Sequence, residues 1–467
     1  MYRKIITRIS IALLVFSTNA KAQSQLSNSV QFEIETFAES FLSQTKVPGL
    51  SMAVSKEGDI IYSKGFGYAN IEENIKMDPT IRLRTASVAK LITATALAKL
   101  ASEGKLDFDA PIKNYVPYIN KTYADLTSRQ LAGHTAGLAH RPKGERYKKK
   151  QYDTMQETVE LMDAPLLFEP DTDYKYSTHA YNLLGAVIEG ASGQSYFDYM
   201  NEAIFKPLGM TDTFVENIEN LTKKDAQIYY VHKNKRRKEG LTNASYKVPG
   251  AGFRSTPTDL VKMMDAYTNG FISKEIVSDM FASHQLKNGK KTNVGITWRS
   301  SIDPFNNIVI EHAGSWRGAR TVVVHFPEEN LNISLMVNAQ CPVVIEETAH
   351  LFAQIIRNSN PLTSEISITN EDVTVTFNSE KGKEEFKGTF TIDGNRGLLS
   401  SDHDGFLKEN PLIYLGSENH YALSTAHGLL YVQLKNNEML EGKLFLYSNR
   451  LSNNPTSETP MMTFKTK

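Results

Sequence analysis

The chain has a single cysteine, Cys341, among its 467 residues. No internal disulfide can form, so stability must come from the core. Net charge is missing too: 52 Lys and Arg balance 52 Asp and Glu. Such a balance offers no overall attraction to nucleic acid or to an acidic polymer. The N-terminal apolar run is too short to cross a bilayer. There is no internal repeat and no low-complexity tract. What remains is an ordinary globular composition, 40% hydrophobic, with material for a large core and a length that suggests two to three domains.

The first residues read as a secretory signal. Arg3, Lys4 and Arg8 are basic, residues 9–16 are apolar, and Ala20-Lys21-Ala22 fits an A-x-A cut. The reading predicts a signal peptide over 1–22, cleavage after Ala22, a periplasmic or secreted protein, and no membrane span after processing.

Residues 85–104 organise the rest. Ala, Leu and Ile dominate, and Gly104 suits a left-handed stop, so a helix is predicted from near Ser87 to Gly104. Its surface is apolar on most sides, which predicts burial. Ser87 and Lys90 interrupt that surface. Three residues apart, they share one helix face. Desolvation would favour a neutral Lys amine able to take a proton from the hydroxyl. The helix N-terminus would favour a developing oxyanion. Ser-x-x-Lys also occurs at Ser43–Lys46 and Ser102–Lys105, at a helix exit and across a helix stop. A capping Ser and a snorkelling Lys therefore stay open as the alternative.

Along the chain, 30–44 reads as an amphipathic helix, with 50–55 and 60–66 as a hairpin turning at Glu57-Gly58-Asp59. Residues 111–118 form a Pro-bearing linker. The basic stretches 141–150 and 232–238 read as solvated loops. Helices are predicted at 179–190, at 196–205, and from the cap Thr256 with Pro257 and Asp259 to 270. Strands follow at 320–326 and 332–337, then a closing helix at 343–357. The order predicts an α+β fold: an antiparallel sheet flanked by helices, with a helical insertion, over 28–358. Only short strands follow, at 373–377, 386–392, 421–424, 429–434 and 443–447. They predict an all-β accessory domain over 364–467.

Seven stretches stand in order along the chain: Ser87-Val-Ala-Lys90, Leu131-Ala-Gly-His-Thr-Ala-Gly-Leu138, Tyr176-Ser-Thr178, Pro207-Leu-Gly-Met210, Ala251-Gly-Phe253, Val294-Gly-Ile-Thr-Trp298 and Glu311-His-Ala-Gly-Ser315. Together they resemble the serine β-lactamase-related superfamily of class C β-lactamases, D-Ala-D-Ala carboxypeptidases and related esterases. In motif form they are most similar to the mitochondrial serine β-lactamase-like branch. The resemblance implies that Ser87 attacks a carbonyl and that Lys90 and Tyr176 share proton transfer. It implies an oxyanion hole from the backbone N–H groups of Ser87 and Ser315, and a Gly314 that lets a substrate strand approach. His312 would bond Tyr176 or a substrate carboxylate, with a charge that changes near pH 6.5.

Two departures stand out. Thr178 replaces the usual Asn and offers one hydroxyl in place of an amide; it could instead cap the next helix. His312 replaces the usual Lys. Both argue against an efficient β-lactamase. The implied function is an exported serine hydrolase with an acyl-enzyme on Ser87, a D-Ala-D-Ala carboxypeptidase-like peptidase or an esterase. The alternatives are a β-lactamase, or a non-catalytic penicillin-recognising or filament-forming scaffold. A small peptide or ester substrate is expected, with no cofactor and no metal. Cys341 reads as a structural thiol.

Overall fold

The computed structural model describes residues 26–140, 150–232, 235–303, 307–341, 343 and 345–357, and beyond them strands between 367 and 466. The expected signal peptide, residues 141–149 and the 358–364 domain boundary lie outside the described residues.

Helix α1 (Asn28–Thr45) starts where the Ser27 hydroxyl accepts the Val30 N–H. It ends at Lys46 in the left-handed conformation. Strands β1 (Gly49–Lys56) and β2 (Asp59–Asn70) form the expected hairpin. Glu57 and Gly58 at its tip both have positive φ, the geometry of a tight hairpin turn. After β3 (Ile75–Lys76) and β4 (Leu83–Arg84), a 3-10 turn at Ala86–Val88 leads into α2 (Ala89–Ser102). Gly104, at φ 69°, follows its end.

The helical region contributes α3 (Ala180–Ser192). Residues 196–205 form a short α-turn that widens into a π-turn at Met200–Phe205. Strands β5 (Phe214–Val215), β6 (Tyr229–His232), β7 (Lys235–Lys238) and β8 (Phe253–Ser255) follow. The described part of the basic stretch at 232–238 is thus not a loop: His232 ends β6, and Lys235–Lys238 pair as an edge strand whose four residues are all exposed. Helix α4 (Pro257–Asp265) is capped by Thr256, which accepts the Asp259 N–H. It stops five residues before the expected end. Ala266, Tyr267 and Thr268 bond three residues back, and the Asp265 carboxylate is held by Ser55 and Asn332 on the sheet.

Strands β9 (Arg299–Ile302), β10 (Ile308–Trp316), β11 (Ala319–Phe326) and β12 (Leu331–Val337) complete one seven-stranded sheet in the order β3-β2-β1-β12-β11-β10-β9. Every pair in it is antiparallel. Leu50 faces Val337 in the ladder that joins the two ends of the domain. The sheet is covered on both faces. Ile310, Val323 and Met336 pack with α2, α3 and α4. Val322, Val324 and Leu335 pack with α1 and, after β13 (Ala339–Gln340), α5 (Ile345–Arg357). Alternation along a strand sends neighbours to opposite faces, so the helices form a layer on each side.

The remaining described strands are β14 (Ser367–Ser379), β15 (Gly382–Asp393), β16 (Arg396–Ser401), β17 (Glu409–Tyr414), β18 (His420–Thr425), β19 (Gly428–Lys435), β20 (Met439–Phe445) and β21 (Met462–Thr466). They form a closed barrel, with β14 pairing β21. Strands β16, β17 and β21 were not expected from the sequence pattern. The fold is the expected α+β class with a C-terminal β region.

Candidate active site

Ser87 lies in the turn between β4 and α2, not inside the α-helix. Ala86 before it has φ 47°. A left-handed non-glycine residue costs about 1–2 kcal/mol, so this turn is held from outside. Thr85 provides part of the hold, because its N–H and its hydroxyl both donate to the Phe253 carbonyl at 3.0 Å.

Lys90, one turn on, is fully buried. Its Nζ is 2.8 Å from the Gly250 carbonyl, 3.3 Å from Thr178 Oγ1 and 3.5 Å from Ser87 Oγ. The Gly250 carbonyl can only accept. A neutral amine at this position could take the Ser87 hydroxyl proton on its lone pair. Gly250 has no room for a side chain: a Cβ there would sit 2.8 Å from Thr178 Cγ2 and 3.5 Å from Lys90 Nζ. Thr178 therefore touches Lys90 and does not cap α3. The neighbouring Ser177 hydroxyl accepts the Ala180 N–H instead.

Tyr176 meets the same group from the other side. Its ring centre lies 5.0 Å from Lys90 Nζ. The loop 134–140 holds it there: Ser177 N–H donates to His134 Nδ1, Lys175 N–H to the His134 carbonyl, and the Ser177 hydroxyl to the Ala139 carbonyl. The His134 ring packs 4.4 Å from the Tyr176 ring, His140 5.4 Å and His312 6.3 Å.

Strand β10 brings His312, Gly314 and Ser315. Strand β9 pairs with it only as far as Glu311, so the next residues are unpaired on that side among the described strands. A Cβ on Gly314 would lie 2.7 Å from the Thr85 carbonyl oxygen and 2.8 Å from the Ser87 nitrogen. The glycine is needed where the strand meets the Ser87 turn. Ser315 is exposed beside it.

A family model described as Beta-lactamase matches residues 34–354. The chain belongs to the beta-lactamase family. The human serine beta-lactamase-like protein LACTB, mitochondrial, is 30% identical over 299 residues, 48% of this chain and 54% of that protein. This chain thus spans about half the length of that relative. Protein flp of Staphylococcus aureus is 26% identical over 349 residues, 72% of this chain and 68% of that one. An octameric penicillin-binding protein homologue from Pyrococcus abyssi shares the fold at a TM-score of 0.59 and 22% identity, covering 93% of this chain and 100% of that one. A beta-lactamase/D-alanine carboxypeptidase from Pseudomonas syringae shares it at 0.60 and 18% identity, covering 71% and 100%.

Within this beta-lactamase family member, His312 corrects the expectation of a charge that changes near pH 6.5. The ring is fully buried. Burial first, then the charges of Arg299 and Lys90, hold its pKa well below 6.5. Its Nδ1 is 2.8 Å from the Ala313 carbonyl. A carbonyl only accepts, so Nδ1 carries the proton and the ring is neutral. His134 is held neutral the same way, chiefly by burial and then by Lys90. Its Nδ1 accepts from Ser177, so its proton sits on Nε2.

Three site residues went unassigned in the sequence: His134, Gly250 and Arg299. His134 lies inside the motif at 131–138, and Arg299 directly follows the motif at 294–298, so the signal was present without a role attached. Arg299 is half-buried, with its guanidinium 5.9 Å from the Tyr176 ring centre. Cys341 is buried in the cluster under α1 and α5, and burial pushes its thiol up to about 11, as suits a structural thiol.

Proposed function

We propose that the chain is an exported serine hydrolase that forms an acyl-enzyme on Ser87 with a small peptide or ester. The D-Ala-D-Ala carboxypeptidase type is the leading reading. One observation carries it: the buried Lys90 amine touches Ser87, Thr178 and Gly250, with Ser87 on a strained turn against Gly314. Lys90 takes the Ser87 proton as Oγ bonds to the carbonyl carbon. The oxyanion faces the N–H groups of Ser87 and Ser315. The leaving group departs with a proton supplied through Lys90 and Tyr176, and water then releases the acyl group. With His312 neutral, Arg299 is the cation for a substrate carboxylate, in a forked geometry that Lys or His cannot offer. Export rests on the basic, apolar and Ala-Lys-Ala pattern of residues 1–22.

A fluorophosphonate probe, read by intact mass and peptide mapping, should add once, at Ser87. Adduct formation that persists in Ser87→Ala would overturn the assignment. Arg299→Ala should raise KM for a peptide ending in a free carboxylate by about tenfold or more and leave its amidated form unchanged.

A further inference from the structure

Arg84 lies three residues before Ser87 and is almost wholly buried. Its guanidinium reaches three separate segments. Nε and Nη2 fork onto the Glu216 carboxylate, with Nε 2.7 Å from Oε2. Nη1 donates to the Arg317 carbonyl at 3.3 Å, in the turn that follows Ser315 and Trp316. Nη2 also donates to the Thr242 carbonyl at 3.0 Å, on the segment leading to Gly250. The guanidinium carbon lies 4.5 Å from the Trp316 ring centre, and Lys247 Nζ is 4.1 Å from the same ring. The backbone of Arg84 is tied as well. Its carbonyl accepts from the Thr321 hydroxyl at 3.2 Å, and Thr321 faces Gly314 across the β10–β11 ladder.

Arg84 thereby ties together the pieces around Ser87. Its own strand leads into the strained turn that presents the Ser87 N–H. The Arg317 turn leaves the strand that presents the Ser315 N–H. The Thr242 segment leads to the Gly250 carbonyl that holds Lys90. A planar, always charged fork can bind a carboxylate and two carbonyls at fixed angles; an ammonium on a flexible stem cannot. Glu216 sets the fork's orientation and also lies 3.4 Å from Arg254 Nε, on β8.

We propose that Arg84, oriented by Glu216, is a positioning residue that sets the spacing between the Ser87 and Ser315 N–H groups. This rests on the acyl-enzyme reading of Ser87. Oxyanion stabilisation depends on donors being in place before charge develops, so loss of that spacing lowers turnover more than substrate binding.

The test uses the full chain, with p-nitrophenyl acetate as substrate and a fluorophosphonate to count active sites. Arg84→Lys keeps the charge and loses the fork; Glu216→Gln keeps the shape and loses the partner charge. In each, kcat per titrated site should fall about 100-fold, with KM within about threefold. A purely structural role would lower the titratable fraction and the melting temperature but leave kcat per titrated site at the parent value; that result overturns the proposal. If neither variant folds, Thr321→Val removes only the bond to the Arg84 carbonyl. It should lower kcat per site by about tenfold, and parental turnover in it counts against the role. A parent chain that takes up no fluorophosphonate overturns the acyl-enzyme reading itself, and the positioning role with it.

Discussion

His312 would titrate near 6.5 if it were exposed. It is buried, and Arg299 and Lys90 add like charge. The folded state then binds fewer protons than the unfolded chain just below pH 6.5. Stability is full above that pH and falls as pH drops through it. His312→Gln should flatten this part of the curve, measured by urea unfolding at pH 5 to 7.5. The kcat/KM for an ester should show no decline as pH rises through 6.5. A decline that His312→Gln abolishes would show that the imidazolium, and not the neutral ring, is the working form. The motif resemblance at 311–315 marked His312 as a site residue. It could not supply the cover that neutralises it.

At the scale of elements, two contacts lock secondary structures to one another. Gly314 lets β10 meet the Ser87 turn, and an added methyl would lie under 3 Å from two backbone atoms. Backbone cannot rotate aside as a side chain can, so Gly314→Ala should shift the strand at a cost of about 1–3 kcal/mol. Turnover should fall about 100-fold while the chain still folds, read by melting temperature and kcat together. The second lock ties α4 to the sheet. Asp265 accepts from Ser55 at 2.8 Å and from Asn332 at 2.6 Å. Burial nevertheless pushes its pKa from 3.8 up to about 6, against the pull of those two bonds. Between about pH 4 and 6 the folded state therefore holds more protons than the unfolded one, so this group's contribution falls as pH rises through that window. Stability of the parent relative to Asp265→Asn should drop by up to about 3 kcal/mol between pH 4 and 7. A constant difference in urea midpoints across that range would show that Asp265 is not the titrating group.

Across the whole molecule, the sheet separates the candidate site from the C-terminal barrel. Ser87, Lys90 and Tyr176 belong to the side that α2 and α3 cover. The barrel touches α1 through β17, and α5 through β18 and β19, on the opposite face. Every residue of α5 from Ile345 to Ile356 is buried, a condition one sheet face cannot create for a whole helix. The barrel is therefore part of what covers α5. A chain ending at Arg357 should take up fluorophosphonate at Ser87 at the parent rate but melt several degrees lower. Loss of labelling in a folded truncation would show that the barrel acts on the site across the sheet. Among the described residues, no helix is long and apolar enough to cross a membrane.

The sequence by itself determined what is local. Helix periodicity puts Ser87 and Lys90 one turn apart. Cap chemistry starts α4 at Thr256. Alternating strands and an ordered set of motifs were enough for the α+β class and the family resemblance. Tertiary structure decided what those residues meet. Lys90 finds the Gly250 carbonyl 160 positions away. Thr178 turns to Lys90, and the Ser177 hydroxyl accepts the Ala180 N–H. Gly314 makes room for a protein backbone, and Arg84 joins three segments that no spacing connects. The reason is physical. A pattern records which side of an element is apolar, whereas burial, charge and close contact depend on which distant element covers that side.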